Sequence, residues 1–517
     1  VTAAAITTRR LALVAVCLVM FLTFLDMTIV SVALANVQSH LHAGVTQLQW
    51  VVNGYGLTFA VFMLLGGTLG DRLGRKKVML GGLIVFAAGS LLGALAPNPD
   101  VLIGARVIMG IGAAASEPGT LSVIRHMYPD SGIRARAIGS WAAVAGLALA
   151  MGPVIGGLLV YGGDWRAVFW FNVAAALFIG FLAAFTVPES SSPQTAKLDI
   201  PGFFFGAVGL GALTFAVILG ETYGYESSLV VGLFIIGAVT LAGFVRVERR
   251  SRSPLLDLSY FKSPRFTAAM LVAFIMYFSI FSIFFFAALY LAAVVGYSPA
   301  RVGLEFTPMA IAMIGASLMA GRHVARVGPR GPMAEGCVLA GTGVLLSAIL
   351  LRSAHPSLWL MATLALAGYG FGSSVVPMTS VALSEVPPER SGMAASATNT
   401  SRELGAVFGV AVLGALVNAH LNGDLSHRLA VLKIPKQFFS IVISAVETGT
   451  VPGGQAGVNT GGIEHKVILA VYAAFRSGLE QALLLAGIGM LIAAAISARA
   501  LGPKSNGELQ EAAPEFP

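Results

Sequence analysis

Runs of about 20 apolar residues recur from one end of this chain to the other, each long enough to cross roughly 30 Å of hydrocarbon. Fourteen predicted spans follow, at about 11–35, 50–70, 78–96, 100–124, 137–160, 167–187, 200–221, 229–246, 266–294, 302–321, 332–351, 357–380, 394–419 and 478–498. In hydrocarbon the backbone must satisfy its own N–H and C=O groups, and runs of this length do so as helices. An all-α membrane protein with 14 transmembrane helices is therefore expected. Composition agrees: of 517 residues 56% are hydrophobic and 11% charged, with mean hydropathy +0.84, where a soluble domain carries about twice that charge. The first run follows Arg9 and Arg10 and ends Ala33-Leu34-Ala35, like a signal-peptide cleavage site. It is too long for a signal core, with Asp26 in its outer half, and reads as an uncleaved first helix.

The connectors set the orientation. GGTLGDRLGRKK (Gly66–Lys77) closes the second span and holds Asp71, Arg72, Arg75, Lys76 and Lys77. Short loops this basic stay on the cytoplasmic side. With that loop inside and an even number of spans, 23 of the 32 Lys and Arg residues fall on the cytoplasmic side, Arg402 among them. Eight fall outside, and Arg106 alone lies within a span. The protein is thus expected in the cell membrane, multi-pass, with both termini cytoplasmic. The net charge of +8 comes from these loops, so no nucleic-acid partner is expected. Gly67 suits close helix approach, Gly74 a positive φ, and Asp71 a cap on the following span. Cys17 and Cys337 lie far apart within spans, with no metal or disulfide spacing.

The basic loop has an echo 254 residues later. In AGRHVARVGPR (Ala320–Arg330), Gly321, Arg326 and Gly328 stand where Gly67, Arg72 and Gly74 do, with Ala325 in place of Asp71. G-x-L-x-D-R-x-G-R-K resembles the signature loop of the major facilitator superfamily. Two related halves of six helices are how transporters of this type are built. The resemblance implies a major facilitator fold: bundles at 1–190 and 263–500, and a linker at 191–262 carrying an inserted hairpin as helices 7 and 8. An external loop at about 421–477 and a cytoplasmic tail at 501–517 complete the expected layout.

Further stretches carry the resemblance to a fourteen-spanner drug:proton antiporter family over roughly residues 11–420. On the fifth span Gly146, Gly152, Pro153, Gly156 and Gly157 form G-x(5)-G-P-x-x-G-G, which looks like the motif that marks antiporters. A Gly-Pro pair there is also expected to bend the helix. LDMTIVSVALA (Leu25–Ala35), GARVIMGIGAAA (Gly104–Ala115), WRAVFWFNV (Trp165–Val173) and the run from Tyr369 to Gly405 are similar to the same family. Departures are Met109 where Gln is usual, Ala35 where Pro is usual, and Glu117 where an apolar residue is common. The family likeness implies a proton-coupled efflux antiporter exporting lipophilic, drug-like molecules by alternating access. It also implies a conformational gate at Gly67, Asp71, Arg72, Gly74 and Arg75. No cofactor is expected beyond the coupling protons, no metal, and no partner beyond small lipophilic substrates and membrane lipids; a monomer is expected. An enzyme is not, and without a G-x-x-x-x-G-K-[ST] loop neither is ATP coupling. The alternatives are a dedicated exporter of an endogenous lipid or secondary metabolite, a proton-coupled peptide symporter, and a non-transporting receptor. The symporter lacks an E-x-x-E-R-F-like motif in helix 1, and the ionisable groups within the spans argue against the receptor.

Those groups are where chemistry is sought, because each is costly in hydrocarbon unless paired or hydrated. At 1.5 Å per residue, Asp26 lies roughly 22 Å from the cytoplasmic edge, and Arg106, on a span running the other way, roughly 9 Å from the external edge. The depths coincide, so the two are expected to meet. Two readings stay open: a permanent pair holding helices together, or a carboxylate that exchanges a proton as access alternates. Glu117 lies roughly 16 Å deeper on nearly the same face, just before Pro118, where the helix is expected to loosen. It reads either as a solvated group near the helix end or as a second protonation or cation-binding site. Glu305 and Glu335, nearer span ends, are weaker candidates. Trp50, Asn53, Tyr55 and Trp141, with Glu117 and the FSIFSIFFF run of the ninth span, are candidates to line a substrate cavity.

Overall fold

The computed structural model describes residues 3–128, 131–161, 164–191, 199–251, 254–351, 358–387, 391–435, 439 and 463–501. All regular structure among them is helical. The first group comprises α1 (Ala3–Leu41), α2 (Val45–Leu73), α3 (Arg75–Ala94), α4 (Pro99–Ser116), α5 (Gly119–Met127), α6 (Ser131–Val160) and α7 (Arg166–Thr186). A hairpin follows, α8 (Ile200–Tyr223) and α9 (Ser228–Glu248). The second group comprises α10 (Pro264–Ser282), α11 (Ala288–Ala293), α12 (Pro299–Val327), α13 (Arg330–Leu350), α14 (Leu358–Ser384), α15 (Ser391–Val431) and α16 (Ile463–Ala500). A π-turn, Ile283–Ala287, joins α10 to α11.

Among the described residues twelve helical segments are long and apolar enough to cross a membrane, against the fourteen expected. The expected spans outside that count are 50–70 and 137–160. Both are helical, as α2 and α6, and both carry side chains outside the described set. Helix starts are written locally: Asn98, Asp199, Ser227, Ser263 and Ser298 each accept a backbone N–H of the turn they precede. Proline follows in the first turn at Pro99, Pro264 and Pro299, where its missing N–H costs nothing. The sequence echo is also a structural one. α2 stops at Gly74 (φ +110°) and α12 at Gly328 (φ +79°), a backbone region that favours glycine.

Helices α1–α7 pack on one another, as do α10–α16. The groups meet along two seams, α2 with α15 and α6 with α12. Glycines on α6 serve both sides. A Cβ on Gly156 would sit 2.6 Å from the Ile29 carbonyl of α1, and one on Gly146 would reach Ser317 of α12 at 3.4 Å. Gly152 abuts Thr28 and Ile29, and Gly157 is also buried. α6 runs as one continuous helix through Gly152 and Pro153; the Pro153 side chain lies outside the described set. The α8–α9 hairpin leans on α2 and α15, and α9 turns most of its surface outward.

Where described, both ends of the expected external loop are helical. α15 runs to Val431, and α16 begins at Ile463. Beyond the bundle their Leu421, Leu425 and Leu429 meet Ala470, Val471 and Ala474 in a small separate core. The polar residues between these leucines hold hydropathy below that of a span, while the four-residue spacing still gives a helix one apolar stripe. Most of FFSIVISAV and all of TGTVPGGQAGVNTGG lie outside the described residues, as does the 502–517 tail.

Candidate functional site

Asp26 and Arg106 do meet. Both are fully buried, and Arg106 Nη1 forms an ion pair with Asp26 Oδ2. Asn172 of α7 donates Nδ2 to the other Asp26 oxygen at 2.6 Å. Arg106 Nε donates to the Val51 carbonyl at 2.8 Å, and its guanidinium lies 4.4 Å from the centroid of the Tyr55 ring. Tyr55 Oη in turn donates to the Thr23 carbonyl at 2.8 Å. Four helices of one half thus converge on one carboxylate, with charge-assisted hydrogen bonds on both of its oxygens. Asn172 escaped the sequence reading, although WRAVFWFNV was singled out, because a neutral amide does not stand out in an apolar span.

A second network bridges the halves. The span holding Arg106 breaks where expected: α4 ends at Ser116 and α5 starts at Gly119. Glu117, at the break, is fully buried rather than solvated. Asn399 Nδ2 of α15 donates to Glu117 Oε1 at 3.2 Å and Oε2 at 3.3 Å. Arg402 donates to Asn399 Oδ1 at 3.1 Å and to Thr379 Oγ1 at 2.6 Å. The charge count places Arg402 with the cytoplasmic loops, yet it lies eight residues inside the expected 394–419 span and is 2% exposed on α15. Next to it Glu403 is wholly buried, and neither carboxylate oxygen has a hydrogen-bond partner among the described residues. Trp141 is buried on α6. Its Nε1 donates to Thr120 Oγ1 at 3.0 Å, and that hydroxyl donates to the Glu117 carbonyl at 2.7 Å, bracing the break.

Between the networks a narrow crevice is lined by Met27, Asn53, Tyr55 and Gly56 from one half and Phe281, Ala406 and Val407 from the other. Asn53 is 1% exposed, with both polar side-chain atoms unpartnered among the described residues. Trp50 points elsewhere, its ring 4.2 Å from that of Phe215 on α8. A second cavity, about 160 Å³, lies between α1 (Ser31, Ala35) and the α11–α12 region (Ala288, Ala292, Tyr297, Val302), toward the end opposite the basic loop. Glu305 pairs with Arg301 at 3.1 Å, and Glu335 is exposed.

At the basic loop Glu189, from the segment after α7, places a carboxylate on the first turn of α3. Glu189 Oε1 accepts from Lys76 N at 3.1 Å, and Arg75 N donates to the Ser190 carbonyl at 2.9 Å. Asp71 belongs to the last turn of α2, and its side chain lies outside the described set. Arg72 is exposed, Arg75 is half-buried, and Gly67 faces Pro118 and Ser396.

Residues 16–410 match the Major Facilitator Superfamily. Multidrug resistance protein Stp of Mycobacterium tuberculosis (strain ATCC 25618 / H37Rv) is 36% identical over 82% of this chain and 78% of its own. Drug efflux pump JefA of the same strain is 32% identical over 92% of this chain and 94% of its own. Among solved structures, a bacterial homologue of the human lysosomal transporter Spinster, inward-facing and unoccupied, superposes with TM-score 0.65 at 19% identity. That alignment covers 95% of this chain and 97% of the other. Paired buried charges at one depth, a glycine-capped loop repeated in both halves and these matches lead to one conclusion: the chain belongs to the Major Facilitator Superfamily.

Proposed function

We propose that this protein is a proton-coupled antiporter of the fourteen-spanner type, exporting lipophilic, drug-like molecules by alternating access. In this reading α2 and α6 complete the set of spans and the basic loop is cytoplasmic, as are both termini. The observation that carries it is the extent of the likeness to a relative named a drug efflux pump, over 92% of this chain and 94% of that one. The chemistry of the site supports it, since a buried carboxylate held by a cation and an amide is suited to exchanging a proton. Asp26 carries the coupling proton, Arg106 tunes its hold, and Glu117 senses substrate charge or relays a second proton. Asn53 and Tyr55 face the substrate. Gly67, Asp71, Arg72, Gly74 and Arg75 act as the gate.

The test is uptake of fluorescent lipophilic amines into everted vesicles with an imposed pH gradient, acid inside. Uptake should follow the gradient in wild type. It should vanish in Asp26→Asn, which mimics the protonated state and leaves substrate binding in place. Gradient-driven uptake that survives in Asp26→Asn moves coupling elsewhere. Absence of any drug-like substrate, with an endogenous lipid or metabolite transported instead, favours the dedicated exporter.

A further inference from the structure

The seam between α2 and α15 has a definite register. A Cβ on Gly67 would lie 3.2 Å from Ser396 Oγ, and one on Gly56 would lie 2.9 Å from Val407 Cγ2. The two contacts are eleven residues apart on each helix, so the helices run antiparallel and in step. Glu403, one turn before Val407, therefore stands opposite Ala60, one turn after Gly56. Ala60 and Glu403 are both fully buried. Small residues on α2 let the helices close tightly, and the closure leaves a carboxylate with no donor on either oxygen among the described residues. A carboxylate in that position is tolerated as its neutral acid. The groups facing it are Glu117 at the α4–α5 break, Arg402 on its own helix, Tyr277 of α10 and Tyr55 of α2. α14 carries no Asp, Glu, Lys, Arg or His, and those of α8 (Glu221) and α5 (Arg125, His126) lie in their last turns. On α16, Glu464, His465 and Lys466 lie in the first turn and Arg499 in the last; Arg476 and Glu480 are near its middle, but Gly478 packs on Val417, fourteen residues or about 20 Å along α15 from Glu403. Arg402 is engaged by Asn399 and Thr379 and donates nothing to Glu403.

We propose that Glu403 is a proton-binding site in the seam between the halves, and that a proton on it permits α2 and α15 to close at the basic-loop end. The inference rests on the alternating access proposed above and adds to it a residue and a rule. An ionised Glu403 draws water and holds the seam apart; a protonated one lets it shut. When the seam opens, the proton passes to water at that end. A site that keeps its proton closed and gives it up open favours closure at low pH and loses it as pH rises.

The test is a distance measurement and needs no transport. Spin labels at Leu73→Cys (α2) and Val327→Cys (α12), both exposed at the basic-loop end, are read by pulsed dipolar spectroscopy after Cys17 and Cys337 are replaced by Ala. In wild type the short-distance population should dominate near pH 5 and fall about tenfold relative to the long one near pH 9. In Glu403→Gln it should dominate throughout, while Glu117→Gln keeps the response. A wild-type distribution indifferent to pH overturns the proposal. So does a pH response that persists in Glu403→Gln, or one that disappears in Glu117→Gln and not in Glu403→Gln. Because the readout is structural, failure of drug export in vesicles leaves this result interpretable, and the converse holds.

Discussion

Asp26 and Glu403 are equally hidden from solvent, yet the two halves treat them in opposite ways. Asp26 has a guanidinium on one oxygen and an amide on the other, so its charge is answered within a single half. Glu403 stands at the junction of the halves, and among the described residues neither of its oxygens is answered. A network complete within one half does not notice when the halves separate. A group left incomplete at the junction is sensitive to that separation. The first arrangement keeps its partners wherever the halves stand, and the second changes its surroundings as they move.

Thermal unfolding of the purified protein should separate the two arrangements sharply. The largest effect is expected for Arg106→Ala, which leaves Asp26 buried without its cation. A loss of about 3–5 kcal/mol is the usual cost of breaking such a pair. A variant as stable as wild type would mean water reaches Asp26, and the contrast with Glu403 would fail. Asn399→Ala comes next, because Glu117 loses both hydrogen bonds given by its amide; about 1–3 kcal/mol is expected. It should also free Arg402 to turn toward Glu403 and blunt the pH response of the seam. The smallest effect, and of opposite sign, belongs to Glu403→Gln. Removing an ionisable group that has no partner should leave stability unchanged or raise it slightly at neutral pH. A marked destabilisation would show that Glu403 has a partner the seam conceals.

Much of this was legible before any coordinates, for a simple reason. Helices rise by a fixed amount per residue, so the depths of Asp26 and Arg106 could be compared along two spans without knowing how the spans pack. The repeated Gly74 and Gly328 were visible because a positive φ demands a residue type, and the Glu117-Pro118 break because proline disrupts a helix locally. What stayed hidden depends on helices meeting. Trp50 was taken for a cavity residue, but the hairpin that covers it joins the bundle from about 150 residues away. Glu189 reaches the first turn of α3 across more than 100 residues of sequence. Arg402 and Glu403 fall eight and nine residues inside the expected 394–419 span, yet an adjacent Arg-Glu pair there reads as a solvated helix end; the packing of α2, α10 and α14 on α15 is what buries them.

That helix has a mechanical side. α15 is a single rod of 41 residues, about 60 Å long, with Asn399, Arg402 and Glu403 near one end and the leucine stripe that grips α16 at the other. A rod that tilts by about 5° about its middle swings each tip by roughly 3 Å. Motion at the seam is thereby transmitted to the small separate core that α15 shares with α16. The projecting pair of helices acts as the pointer of a gauge, and an antibody fragment clamped on it should grip one reading of the dial and stall the cycle from a distance.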